Sequence, residues 1–410
     1  MTADKEKIIR ICQKYRERVL EIRHYLHTHP ETGDQETGTT EYLCGVMKEL
    51  GLRVERPLST GLTAVLETDQ QENARCVGLR ADIDALPIRE DCRLEFRSVN
   101  EGIMHACGHD IHMASLAGAA MVLSDPEIRK HLRAPVKFIF QPAEETDGGA
   151  LRMIESGVLE APAVDCMAAF HCEPSMRAGT VAVKSGYTRA SSDMFDIRIR
   201  GRSAHGAYPE AGTDAIVAAS AVVMAVQSII SRNISAFEPC VITIGIFQAG
   251  SAGNIVCDEA FLSGTMRTIS PEVREISMQR LRALAEGVAS SYGAQAEIRF
   301  RPGYMALLNH PEMTELLKDT AVGLLGDENV TVMDQAMMSV DDFSFFADKV
   351  PSVYFFAGSG YEGRENYGLH HGRFEADETM LDATVPLQVM FVLKMQGNGK
   401  ERASKRMSGA

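Results

Sequence analysis

Three short stretches, Cys76–Leu79, Val136–Phe140 and Cys166–Phe170, are apolar at nearly every position rather than at every second one. Strands read that way when both of their faces are covered, which is the condition of the central strands of a largely parallel sheet. Thr63–Leu66 reads as a fourth strand. Between Cys76–Leu79 and Val136–Phe140 a helical pattern starts near Asp110, and after Val136–Phe140 another runs from Gly148 to Ser156. Alternation of this kind predicts an α/β sandwich. Ahead of it, Ile8, Ile9, Cys12, Tyr15, Val19, Ile22 and Leu26 recur near a period of 3.6 residues and end at Pro30. A second helix is expected over about 36–50, stopping at Gly51.

At 410 residues the chain exceeds what one core usually organises, so two domains are expected. The pattern changes between about Ser185 and Phe300. It gives a strand at Met194–Arg200, a helix at Asp214–Arg232, strands at Val241–Phe247 and Ala260–Met266, a helix at Pro271–Ser291 and a strand at Ala294–Phe300. Two helices with four strands in this order predict a ferredoxin-like α+β unit. Ser270, Pro271 and Glu272 form a strong helix start. After residue 300 the α/β alternation resumes and ends in a helix from about Ala376 to Met395, so the small unit is expected to be inserted in the larger one. The expected divisions are 1–185 and 301–396 for the larger domain, 186–300 for the insert and 397–410 for a mobile tail.

Composition narrows the function classes. With 42 basic and 56 acidic residues the net charge is −14, which repels a phosphate backbone, so nucleic acid is not expected as a partner. The longest apolar run, Ala215–Val226, is broken by Ser220 and falls short of the roughly 20 residues of a spanning helix, so no membrane role is expected. The first 19 residues are charged from the fourth onward and lack a signal-peptide core, which points to the cytoplasm. Nine cysteines, an odd number without repeated spacing, suit reduced thiols, and any that matters would act as a ligand or nucleophile.

Chemistry concentrates at the ends of the apolar runs. In MHACGHDIHMA, His105, Cys107, His109, Asp110 and His112 lie within eight positions. A thiolate and an imidazole two residues apart suit zinc or another borderline divalent ion. In FQPAEE the strand leads into Glu144 and Glu145. Neighbours on an extended segment point apart, so one carboxylate can bind metal while the other holds the attacking water. In FHCEP, His171 ends a strand and is either structural or a ligand. In LHHGRF either His370 or His371 can be a ligand, and spacing does not choose. One soft ligand, several imidazoles and two carboxylates at strand-to-loop junctions suit two divalent ions about 3.5–4 Å apart, and thus metal-assisted hydrolysis.

LRADIDALP (79–87), MHACGHDIHMA (104–114), QPAEE (141–145), FHCEP (170–174), SAHGAYPEAGTDAI (203–216), GNIVCDEAFLSGTMRT (253–268) and LHHGRF (369–374) occur in an order, and over a span, that resembles the amidohydrolase branch of the aminoacylase/carboxypeptidase metallopeptidase family. That branch includes hippurate hydrolases, N-acyl-amino-acid deacetylases and auxin-conjugate hydrolases. The resemblance implies a phosphorylase/hydrolase-like α/β catalytic domain with an inserted ferredoxin-like lid and dimerisation domain. It implies two divalent ions per chain, zinc or manganese first and nickel or cobalt as further options. Cys107, His109, Glu145, His171 and His370 would be ligands, with Cys107 bridging. Glu144 would be the general base and His205 the oxyanion stabiliser, while Asn254 and Arg267 would hold the substrate's polar end.

The implied reaction is hydrolysis of the amide of an N-acyl amino acid. A dipeptidase or aminobenzoyl-glutamate-type hydrolase is the alternative on the same site, and a non-catalytic binding protein is the reading from another class. A homodimer through the insert is implied as well. Two departures stand out. Gly372 occupies the place where relatives carry Pro in His-x-Pro, which is expected to loosen the loop and keeps His371 open as a substitute ligand. The His-x-Asp motif of the carboxypeptidase members is absent, and Asp82 and Asp84 stand there, expected to be hydrogen-bond acceptors under the metal loop.

Overall fold

The computed structural model describes residues 2–68, 74–146 and 148–397, with side chains from Lys5 onward. The tail expected to be mobile lies, from residue 398, outside the described residues. The chain divides into two compact units: Met1–Gly186 with Leu308–Asp334 and Phe345–Ala410, and Tyr187–Leu307 with Gln335–Ser344.

The first unit opens with helices α1 (Thr2–Thr28) and α2 (Thr37–Glu49), followed by β1 (Arg53–Glu55), β2 (Leu62–Leu66) and β3 (Val77–Asp82). Helix α3 (His109–Ser124), β4 (Val136–Gln141), α4 (Gly149–Glu155), β5 (Cys166–Arg177) and β6 (Val181–Val183) come next. An eight-stranded sheet has the order β1-β2-β4-β3-β5-β12-β6-β11, where β11 is Val330–Val332 and β12 is Ser352–Gly360. Its centre, β4-β3-β5-β12, is parallel throughout. Every residue of β3, β4 and β12 is buried, which is why these segments carry continuous rather than alternating apolar character.

Helix α3 is buried all round except at its last residue, so it shows no polar face. It packs against α1 and the closing helix α8 (Leu381–Gly397), which also packs on α7 (Pro311–Leu325). Where an all-buried helix carries polar groups they must be paired, and the Ser115 hydroxyl does this by donating to Thr384 Oγ1 (2.8 Å) and accepting from Gln388 Nε2 (2.8 Å). Strand β5 is longer than its apolar run predicts. It continues through His171 because His171, Cys172 and Glu173 remain paired with Phe356, Ala357 and Gly358 of β12. His171 therefore lies within the strand and not at its end.

The second unit contains β7 (Ser191–Arg200), α5 (Ala215–Asn233), β8 (Cys240–Ala249), β9 (Glu259–Thr268), α6 (Pro271–Ser291) and β10 (Gln295–Pro302). Its sheet has the order β8-β9-β7-β10 and is antiparallel throughout, the ferredoxin-like arrangement. Ser270 caps α6 by accepting the Val273 amide (3.3 Å), and Asp214 caps α5 by accepting that of Ile216 (2.9 Å). Helix α5 stands where the sequence places it, but its apolar length exceeds the run Ala215–Val226. Its 19 residues, at a mean hydropathy of 1.7, are long and apolar enough to cross a membrane by length and composition alone. Ser220 does not interrupt the helix, since its hydroxyl bonds back to the Ile216 carbonyl (2.8 Å). The face bearing Ala215, Ala218, Ala219, Val222, Val226 and Ile229 is buried in the unit's own core.

Candidate metal centre

All the candidate residues of the first unit gather beyond the carboxyl ends of the parallel strands, where ligands bind in open α/β sheets. Asp82 and Asp84 come from the end of β3, Cys107 and His109 from the start of α3, Glu144 and Glu145 from the turn after β4, His171 from β5, and His370 from the loop after β12. Gly108 makes the entry to α3 possible. Its φ is 79°, and a Cβ there would collide with Cys172 Sγ.

Two donor sets share one thiol. Cys107, His109 and His171 offer ligand atoms within 4.8 Å of one another, and so do Cys107, Glu145 and His370. Glu144 joins His109 and Glu145 in a third such set. The imidazoles are oriented with their lone pairs inward. His109 Nδ1 lies 2.8 Å from the Asp84 carbonyl oxygen, which can only accept, so in the neutral ring the proton is on Nδ1 and Nε2 carries the lone pair. That Nε2 is buried without a hydrogen-bond partner, with carboxylate oxygens of Asp82 and Glu145 at 3.7 and 3.9 Å. His171 Nδ1 likewise faces the Cys172 carbonyl (2.8 Å), which turns Nε2 toward Cys107 Sγ at 3.4 Å. An orphaned nitrogen on His109, the His171 imidazole beside a thiol, and carboxylates converging in this way are the donor chemistry of a divalent-ion site, and the residues fit one.

Electrostatics agree. Burial opposes a charge on His109, yet Asp82, Asp84 and Glu145 outweigh it and hold its pKa well above the ordinary value. A site that would hold a proton there would hold a cation. Burial and then Glu145 push the Cys107 thiol well above its usual range, so its deprotonation is coupled to a bound cation. The Glu145 carboxylate, whose Oε1 stands 3.1 Å from His370 Nε2, raises the pKa of His370 by hydrogen bonding and by its charge.

The loop places the two histidines differently. His370 has φ 61° and is tied by its amide to the Ala106 carbonyl (2.8 Å), which aims it at Glu145. His371 turns away: its Nδ1 accepts the Arg373 amide (3.0 Å) and its ring stacks on Tyr367 at 4.7 Å. Gly372 does not loosen this loop. Its carbonyl accepts the Asp91 amide (2.6 Å), and a Cβ there would meet the Arg89 carbonyl, so close backbone packing replaces the proline.

The layer behind the donors is only partly legible in the sequence. Asp84 bonds His109 through its carbonyl and accepts the Glu145 amide (2.8 Å) at Oδ2, bridging two candidate ligands. Asp82 takes the buried Arg80 (2.6 Å) and His112 Nδ1 (2.7 Å), while His112 Nε2 accepts the Cys172 amide (2.9 Å). Both nitrogens of His112 are thus engaged in support. His105 is buried with neither nitrogen hydrogen-bonded, and burial pushes its pKa down to about 3.

In the second unit, His205 and Asn254 are neighbours. His205 pairs with Ile255 across a short two-stranded ladder, and Gly206 donates its amide to the Asn254 carbonyl (2.8 Å). Both side chains are exposed. Arg267 lies on β9 opposite Ser192 and Val241; its Nη1 is buried without a partner, and burial lowers its pKa.

Comparison with known proteins places this geometry. The chain is 38% identical over 366 residues to the N-acetylcysteine deacetylase of Bacillus subtilis, covering 89% of this chain and 93% of that protein. To the N-acetyldiaminopimelate deacetylase of Bacillus pumilus it is 37% identical over 384 residues, covering 93% and 99%. Among solved structures, a Bacillus subtilis protein described as a dinuclear metal binding peptidase from the M20 family superposes with a TM-score of 0.82 at 32% identity, over 94% of this chain and 99% of that one. The profile of peptidase family M20/M25/M40 matches residues 78–390, and this chain belongs to that family.

Proposed function

We propose that the protein is a metal-dependent amidohydrolase that cleaves the amide of N-acyl amino acids to a carboxylate and a free amino acid. The observation that carries this reading is the pair of donor sets sharing Cys107, with Glu144 beside them. The names of the two deacetylases above favour a small acyl group. Cys107, His109, His171, Glu145 and His370 would hold two ions, zinc or manganese first, with Cys107 common to both. Divalent ions, when bound, polarise the scissile carbonyl and lower the pKa of water from about 15.7 towards 7.

Glu144 takes the proton of the attacking water and delivers it to the amine as the C–N bond breaks, so each turnover consumes one water and returns the base unchanged. Asp84 holds the His109 tautomer and the Glu145 backbone. His205 is assigned the developing oxyanion, and Asn254 and Arg267 the substrate carboxylate, on the family resemblance; Arg267's planar fork suits two-point binding. The inserted unit is assigned lid and dimerisation roles. Support for a homodimer is the exposed apolar surface of Val217 and Met224 on α5 and Ile246 and Phe247 on the edge strand β8. A monomeric mass at micromolar concentration would refute it. All nine cysteines are free, which supports a reducing, cytoplasmic setting.

The test is amine release from a panel of N-acetyl, N-benzoyl and long-chain N-acyl amino acids, with dipeptides and aminobenzoyl-glutamate, in EDTA or with added Zn²⁺, Mn²⁺, Co²⁺ or Ni²⁺. Metal-dependent turnover of the N-acyl amino acids is expected. Turnover confined to the dipeptides or to aminobenzoyl-glutamate would replace the substrate class.

A further inference from the structure

The turn that carries Glu144 contains one unfavourable step. Strand β4 ends at Gln141, and Ala143 then takes φ 56°, where its Cβ crowds the following carbonyl. A conformation of this kind persists only where neighbouring groups hold it. The Ala143 amide donates to Glu36 Oε1 at 2.8 Å.

Glu36 is placed unusually for this bond. It stands at the N-cap of α2, where a carboxylate ordinarily accepts the helix's own first amides, yet it makes no such bond. Glu31 accepts the amides of Gly38 (3.0 Å) and Thr39 (2.8 Å) in its stead. The Glu36 carboxyl leaves its own helix for a turn 107 residues further along the chain. It is fully buried, a costly place for a carboxyl that only packs. On the other side of Glu144, the Glu145 amide donates to Asp84 Oδ2 (2.8 Å). The amides immediately before and after Glu144 are thus each anchored to a buried carboxyl from a different segment.

We propose that Glu36 is a positioning residue for the general base: by accepting the Ala143 amide it holds the left-handed step of the turn and so sets the direction in which Glu144 projects. The proposal rests on Glu144 being the base. It involves no contact between Glu36 and substrate. Burial pushes the Glu36 carboxyl up to about 7, so near neutral pH it need not add a full negative charge beside Asp84.

The experiment compares Glu36→Ala and Glu36→Gln in the full-length, metal-loaded enzyme, with kcat, KM, bound metal and melting temperature read on the same samples. Gln keeps an oxygen for the Ala143 amide and Ala does not. The expected result is a kcat within about threefold of wild type for Gln and a loss of about 10²-fold for Ala, with KM and metal content little changed. A lower melting temperature with unchanged kcat in Glu36→Ala would make the residue structural only and overturn the proposal. Loss of metal would overturn it too, since Glu36 would then act on the ligands, and so would equal impairment of Ala and Gln. If Glu36→Ala does not fold, Glu36→Asp, one methylene shorter, takes its place, and equal activity of Asp and Gln counts against the proposal. Glu144→Gln in the same assay separates the two claims. Undiminished turnover there sinks the base itself, whereas its collapse beside an unaffected Glu36→Ala sinks only the positioning.

Discussion

Glu144 and Glu145 are adjacent, and their different surroundings predict different consequences of substitution. Glu145 faces His370 and Cys107, so Glu145→Ala is expected to lose bound metal. Glu144→Ala is expected to keep both ions and lose about 10²- to 10⁴-fold in kcat. Metal analysis and kinetics on both purified variants check this, and unchanged turnover in Glu144→Ala would remove the assignment. The histidine pair offers a second contrast. His370→Ala is expected to deplete one ion, whereas His371→Ala gives up a stacking contact with Tyr367 and should retain two. Depletion in the second variant alone would exchange their roles. Cys107 and His109 are legible in the sequence because sparse, metal-competent residue types cluster there within three positions. The choice between His370 and His371 is not legible, because it depends on one backbone angle and one bond to Ala106.

Helix α3 presents His109, and its first turn is clamped to α1 by buried charge. Asp110 lies 2.9 Å from His27 Nδ1 and 3.2 Å from Arg23 Nε. Burial by itself would discharge His27, but Asp110, with Glu90 at 3.3 Å, raises its pKa to about 9. A histidine whose folded value lies above its unfolded value of about 6.5 stabilises fully below that value and ceases to do so as the pH rises through about 9. Urea unfolding in EDTA should therefore show stability falling between pH 6.5 and 9 in the wild type. In His27→Gln that slope should be smaller by the share of His27, the remainder coming from His109 and His370, whose values are also raised, with a loss of about 2 kcal/mol already at pH 6. Equal slopes would show that the clamp does not carry the charge. At this scale the periodicity located α1, α3 and α6 within a few residues. It missed the length of β5, because the second half of that strand is held by pairing with β12 and not by its own apolar character.

For the whole molecule, ions that bind the folded chain and not the unfolded one must raise its stability, by about 2.7 kcal/mol when free metal exceeds Kd a hundredfold. Calorimetry with EDTA and after re-addition of Zn²⁺ or Mn²⁺ should show a lower melting temperature restored by metal. No shift would mean that the converging donors do not bind. The hydropathy of α5 is a related case, for composition alone cannot tell a spanning helix from one whose apolar stripe covers a sheet, and the buried face of α5 is visible only once that sheet is built. Composition, local period and the clustering of residue types are properties of neighbours along the chain, and they suffice for the element order, the α/β and ferredoxin-like patterns and a metal-competent set of side chains. The bonds that aim those side chains join residues 25, 61 and 107 positions apart, from His109 to Asp84, Glu145 to Asp84 and Ala143 to Glu36. No local pattern encodes them, because each exists only when the sheet has brought the ends of its strands together.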